Sequence, residues 1–361
     1  MLSKLKNKVK FIYNRIHIVL IIIISTLINI NISFSNEIEC NVTLKKDTIS
    51  EYKLSNTEVD KSCYDRRIIN VLLLYDAGMV LDKEWQDNID VRFEEINKFY
   101  FDSYKIKWKI VDTQQFKFDT NISNLSSLFS IYKEEITNLT DNIEAEVVLS
   151  IIERDIKGIG IAATFSNVVM VADSTKFNNY INSVVIAHEF AHLFGAWHTQ
   201  RKDDFMLFSG ANKLLGGNES NTILKIMRDY NFDPKTIINN DVILNRISRL
   251  YGRHHAKGEI DPVARLLTDE GNSLYIDKKY HEAIKILQRS NKYYGRWGNT
   301  RMILSKSYYE LDLLQDSFTE YTRAVFFGSK PDKEHENNLR NKFIDLQKIY
   351  STIINPFELN N

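Results

Sequence analysis

The run Arg67-Ile-Ile-Asn-Val-Leu-Leu-Leu-Tyr75 is apolar at nearly every position and predicts a buried strand. Residues 83–101 then place Trp85, Ile89, Val91, Phe93, Ile96, Phe99 and Tyr100 at helical spacing. Ile106-Lys-Trp-Lys-Ile-Val111 alternates, as a second strand does. Residues 123–138 return to helical spacing through Leu125, Leu128, Phe129, Ile131 and Tyr132. Glu146–Ile152 predicts a third strand, Gly158–Phe165 a fourth and Val168–Ala172 a fifth. A helix over 182–195 follows, and beyond about residue 222 the pattern is almost wholly helical. Strand, helix, strand, helix, strand predicts a mostly parallel α/β sheet. The Asp261-Pro262 pair predicts a boundary, because a helix usually stops before proline.

The amino terminus has a different pattern. Lys4, Lys6, Lys8, Lys10 and Arg15 precede the apolar run Ile16–Ile28, and Ser33-Phe34-Ser35 places small residues at a cleavage position. Basic flank, short apolar core and small-x-small site make a secretory signal over residues 1–35. Residues 16–30 can alternatively stay as an uncleaved membrane anchor, the polar Asn29 and Asn31 lying within Ile-rich sequence. The expectation is an exported protein, secreted or periplasmic, or anchored at its amino terminus. Residues 36–66 are polar and irregular, with Cys40 and Cys63. In an oxidising compartment these two form a candidate disulfide, stabilising by about 3 kcal/mol. The competing reading makes one of them a thiolate that blocks a metal site until a pro-segment is removed.

Composition narrows the function classes. The 361 residues carry 47 basic and 47 acidic side chains, so the formal charge is zero and nothing recommends nucleic acid as a partner. Hydrophobic residues at 43% suffice for real cores, and two cysteines exclude a four-thiolate zinc site.

The chemistry concentrates in His188-Glu-Phe-Ala-His192-Leu-Phe-Gly195-Ala-Trp-His198. On a helix, His188 and His192 share one face one turn apart, so both imidazoles reach one ion. Glu189 points about 100° away and can reach a water beside that ion without being a ligand. Gly195 suits a left-handed helix end, and the chain reversal returns His198 as a third ligand. Three neutral imidazoles leave a tetrahedral position open, as in a catalytic zinc site.

These residues resemble the signature of the metzincin clan of zinc metallopeptidases, whose histidine motif is followed by a methionine turn. Asp204-Phe205-Met206-Leu207 is similar to that turn, at a matrixin-like short gap after His198. Residues 158–173 resemble the edge strand of reprolysin-like members. The resemblance covers roughly residues 65–250. It implies an α/β or α+β catalytic domain over 67–255, with a mixed, mostly parallel sheet and a central zinc helix. It implies one catalytic Zn²⁺ held by His188, His192 and His198, an apolar floor at Met206, and a protein or peptide substrate. Phe208 stands where astacins and serralysins have a ligating Tyr, so that ligand is absent.

Residues 265–330 repeat with a period of 34: Leu274 maps to Tyr308, Tyr280 to Leu314, Leu287 to Tyr321. This resembles tetratricopeptide repeats and predicts an all-α domain over 262–351, with 333–351 as a capping helix. Tyr275, Tyr280, Tyr293, Tyr294 and Trp297 are candidate anchors for a protein partner. The expected function is an exported zinc endopeptidase with a partner-binding or substrate-binding module. The alternative is an interaction protein whose peptidase domain is vestigial, against which the retained Glu189 argues.

Overall fold

β1 (Arg67–Asp76) lies inside the sheet, second in the strand order. In the computed structural model, which describes residues 66–77, 79, 82–173, 177–251, 259–349 and 354–357, it pairs in parallel with β2 (Ile106–Phe116) on one side and with β3 (Val147–Ile152) on the other. β5 (Val168–Ala172) adds in parallel to β3, and the short β4 (Gly160–Ala162) closes the order β2-β1-β3-β5-β4 antiparallel to β5. The described residues thus form an α/β fold on a mixed five-stranded sheet. The signal or anchor expected at 1–35, the 36–66 segment short of its last residue, and Cys40 and Cys63 lie outside the described residues. Among the described residues no helix is long and apolar enough to cross a membrane.

β1 is a continuous apolar run because both its faces are covered. Ile69, Val71 and Leu73 point into one core, shared with α1 (Lys83–Tyr104) and α3 (Asn179–Leu193). Leu72 and Leu74 point into the other, filled from α2 (Leu125–Asn138) by Leu125, Leu128, Phe129 and Ile136. α3 is locked to β2 where Trp108 stacks on Phe190 at 3.9 Å, and to α1 where the Tyr100 hydroxyl donates to the Ala187 carbonyl at 2.7 Å. A buried ion pair, Arg92 to Asp173 at 2.9 Å, ties α1 to the end of β5, and Asn182 of α3 donates to the same carboxylate.

α3 begins three residues before the predicted start because Asn178 caps it, its side chain accepting from Ile181 N at 2.9 Å. The predicted fourth strand shrinks from Gly158–Phe165 to Gly160–Ala162. Ala163 and Val168 already close a turn there, and Phe165 sits left-handed at φ 62°.

After α3 come α4 (Asn218–Ile226), α5 (Pro234–Ile238) and α6 (Asp241–Tyr251). Two helix–turn–helix pairs follow, α7 (Pro262–Ile276) with α8 (Tyr280–Tyr293) and α9 (Gly298–Glu310) with α10 (Leu314–Phe326), then α11 (Lys333–Ile349). The described residues fall in one compact unit spanning Asp60–Asn361. Its larger core runs on through Asp261-Pro262: the fully buried Val263 and Leu267 of α7 join the cluster that holds Phe190 and Trp197.

One polar cluster inside the helical pairs has a pH consequence. Ser305 of α9 bonds the Nε2 of buried His335 at 2.8 Å. Burial, then the charge of Lys306, lowers the His335 imidazole from 6.5 to about 4. A base kept neutral in the folded state contributes fully above its unfolded value, and the contribution is lost as pH falls from 6.5 to about 4. At about 1.4 kcal/mol per pH unit across that window, the loss is at most about 3.5 kcal/mol. Thermal midpoints of the wild type and His335→Gln should therefore differ at pH 7 and converge, relative to that difference, at pH 4. A pH-independent difference would show that His335 does not titrate on unfolding.

Candidate metal centre

α3 presents His188 and His192 one turn apart, and its end is built to bring His198 back. The Gly195 N–H donates to His192 O at 2.9 Å and the Ala196 N–H to Ala191 O at 3.1 Å, closing the helix on itself. Gly195 has φ 85°, and a Cβ there would lie 2.0 Å from Cε1 of the fully buried Phe165. Only glycine satisfies both the dihedral and the space. The chain then reverses, and the ligand atoms of His188, His192 and His198 all come within 4.8 Å of one another.

Each ring is oriented through its other nitrogen. His188 Nδ1 lies 2.7 Å from the Phe205 carbonyl and His192 Nδ1 lies 2.7 Å from the Ala196 carbonyl. A carbonyl only accepts, so these Nδ1 atoms carry the proton and each Nε2 keeps its lone pair. His198 Nδ1 faces Glu259 Oε1 at 3.4 Å, while its Nε2 lies 3.1 Å from His188 Nε2. Burial, reinforced by the charge of His198, pushes the His188 imidazole down to about 4, and burial first of all holds His192 well below its ordinary value. Neutral imidazoles whose lone pairs converge fit a soft-to-borderline cation such as Zn²⁺, and the all-nitrogen donor set disfavours Ca²⁺ or Mg²⁺.

Glu189 follows His188 on the same turn, about 100° further round the helix. It is 7% exposed, and burial pushes its carboxyl up to about 8. Gly160 of β4 lies directly against it: a Cβ at that position would stand 2.4 Å from Glu189 Oε1. The edge strand passes over the carboxylate only because residue 160 has no side chain, a role its place in a predicted strand did not reveal. His188, Glu189 and His198 line a cleft of about 260 Å³ together with Val184, Leu207 and Phe208.

The 204–207 turn is part of the same construction. Met206 is fully buried, and its N–H donates to Asp204 Oδ1 at 3.0 Å. The Thr199 N–H donates to Met206 O at 2.9 Å and the Phe208 N–H to Thr199 O at 3.0 Å, stapling the turn to the residue after His198. The Phe208 ring lies 5.4 Å from that of His198 and is 55% exposed. Nothing in the sequence marks the Phe205 and Ala196 carbonyls, since any residue carries one. Glu259 was missed too, being one acid among 47.

Of the aromatic anchors predicted for a partner, Tyr275 and Tyr280 come together, with ring centroids 5.8 Å apart. Tyr293 instead packs on the large core and donates to Asn245 of α6 at 3.2 Å. Tyr294 and Trp297 are half-buried around the α8–α9 connection.

No known family profile and no curated protein matches the chain. Solved structures with a similar trace include one described as a chaperone–substrate complex (13% identity, TM-score 0.38, 46% of this chain and 35% of that one). Archaemetzincin from Methanopyrus kandleri aligns at 13% identity and TM-score 0.33, over 45% of this chain and 96% of its own. A zinc-dependent peptidase from Methanocorpusculum labreanum aligns at 12% and 0.32, over 43% and 99%. Metalloproteinase-II from Bacteroides fragilis aligns at 16% and 0.31, over 44% and 52%. The chain thus spans about a third of the first of these chains and about half of the last.

Proposed function

We propose that the protein is a zinc-dependent peptidase of the metzincin type. The observation that carries this is the convergence of three imidazole Nε2 atoms, two of them fixed in tautomer by carbonyls, beside a buried glutamate. His188, His192 and His198 would hold the ion. A zinc ion bound there supplies Lewis acidity for a scissile carbonyl and lowers the pKa of a neighbouring water. Glu189 accepts the proton of the attacking water and returns it to the departing amine nitrogen. β4 forms the sheet edge beside Glu189, and its outer side has no strand partner among the described residues. An extended peptide can add to that edge through main-chain hydrogen bonds. Val184, Leu207 and Phe208 give the cleft an apolar lining suited to an apolar side chain.

The helical pairs after residue 262 fit a tetratricopeptide-like module that presents a protein partner or the substrate. The basic flank and apolar run at the amino terminus support export of the enzyme, with or without retention as an anchor.

Wild-type protein should carry about one zinc per chain by elemental analysis, and the His192→Ala, His198→Ala double variant should carry essentially none. Stoichiometric zinc in the double variant would remove the trio as the metal site.

A further inference from the structure

Two of the three histidines are oriented by carbonyls of their own neighbourhood, but the third is not. His198 Nδ1 is buried and has no full hydrogen bond among the described residues. What it faces is Glu259 Oε1 at 3.4 Å, a carboxylate contributed from beyond α6, with the Glu259 side chain 16% exposed and that of His198 23% exposed. We propose that Glu259 is a positioning residue for His198. In this reading its carboxylate accepts a hydrogen bond from the Nδ1–H, fixes the ring with Nε2 towards the metal, and makes the imidazole a stronger ligand. The proposal rests on the metal reading above.

The backbone around Glu259 is held for this. Two residues on, Asp261 caps α7, accepting from Val263 N at 2.8 Å and Ala264 N at 3.2 Å, and the Ser248 hydroxyl donates to it at 2.6 Å. One turn into α7, the Arg265 guanidinium lies over the Trp197 ring, 5.5 Å from its centroid. The start of α7 and the residues just before it therefore dock on the 197–198 segment at two points, the carboxylate on the ring nitrogen and the guanidinium on the indole. A separation of 3.4 Å is longer than a full hydrogen bond. A buried N–H with no other acceptor favours shortening it. Metal-bound histidines commonly donate their second ring N–H to a carboxylate, and loss of that partner weakens metal binding by about 10–100-fold.

The test uses the full chain with wild-type Glu259, Glu259→Ala and Glu259→Gln. Three quantities decide it: zinc affinity by chelator competition, the visible absorption of the cobalt(II)-loaded protein, and the thermal midpoint of the metal-free protein. Glu259→Ala should bind zinc about 10–100-fold more weakly, with a shifted cobalt band. Glu259→Gln keeps the shape and an accepting oxygen but not the charge; it should fall between the two, at a wild-type metal-free midpoint. If Glu259→Ala does not fold, the Gln variant decides alone. Wild-type affinity and cobalt spectrum in the variants would overturn the positioning role while leaving the zinc site intact. An affinity loss matched by an equal fall in metal-free stability would overturn it too, as a structural effect. A wild-type protein that takes up no zinc would overturn the metal reading itself, and this proposal with it.

Discussion

Glu189→Gln is expected to lower peptide hydrolysis by about 10²–10⁴-fold, the usual cost of losing a general base, and to leave zinc content unchanged. The amide matches the carboxylate in shape, so the contact with Gly160 and the burial of the side chain persist. What disappears is the ability to take a proton from water. Rate measurements on a short fluorogenic peptide, paired with elemental analysis of the same sample, separate the two properties. Full activity in the zinc-loaded variant would overturn the mechanism. Loss of zinc would instead assign the carboxylate a structural role.

Gly195→Ala is expected to be the most damaging single methyl group in the half of the chain that carries the three histidines. The added Cβ is penalised twice. A left-handed dihedral costs a non-glycine residue roughly 1–2 kcal/mol, and overpacking a closed core costs about 1–3 kcal/mol more. Phe165 has little freedom to withdraw: its carbonyl accepts the Tyr230 hydroxyl, its N–H donates to His192 O at 3.2 Å, and its ring is fully buried. Because the same turn returns His198, metal affinity should fall along with stability. Urea titration of the metal-free protein should show a lower midpoint at an unchanged slope, and chelator competition should show weaker zinc binding. An unchanged midpoint would mean that the turn relaxes at no cost.

Much of the site could be read in the sequence because it depends on spacing along a single helix and its end. His188, Glu189, His192 and Gly195 occupy fixed rotational positions on α3, and the backbone alone carries those positions into three dimensions. β1 was equally legible, since a strand covered on both faces needs apolar side chains throughout. What could not be read depends on tertiary contact. Gly160 matters because of the glutamate packed beneath it, and nothing in its own neighbourhood reports that carboxylate. The carbonyls of Phe205 and Ala196 orient two histidines through backbone atoms that no residue type marks. Glu259 reaches His198 only once α7 has docked. The period of 34 predicted a stack of helical pairs after residue 262, but periodicity describes only how such pairs stack on each other. It says nothing of Val263 and Leu267, which join the core built by the preceding residues.

The core that continues through residues 263–267 also sets an order of events during synthesis. The histidine motif leaves the ribosome well before α7 does. Until Val263, Arg265 and Leu267 have emerged, the core beside Trp197 lacks its last wall and His198 lacks its carboxylate. A nascent chain therefore carries all three histidines without a finished site, and completion waits for the helices that follow. For the exported peptidase proposed above, that delay would keep a partly made chain from cutting its neighbours.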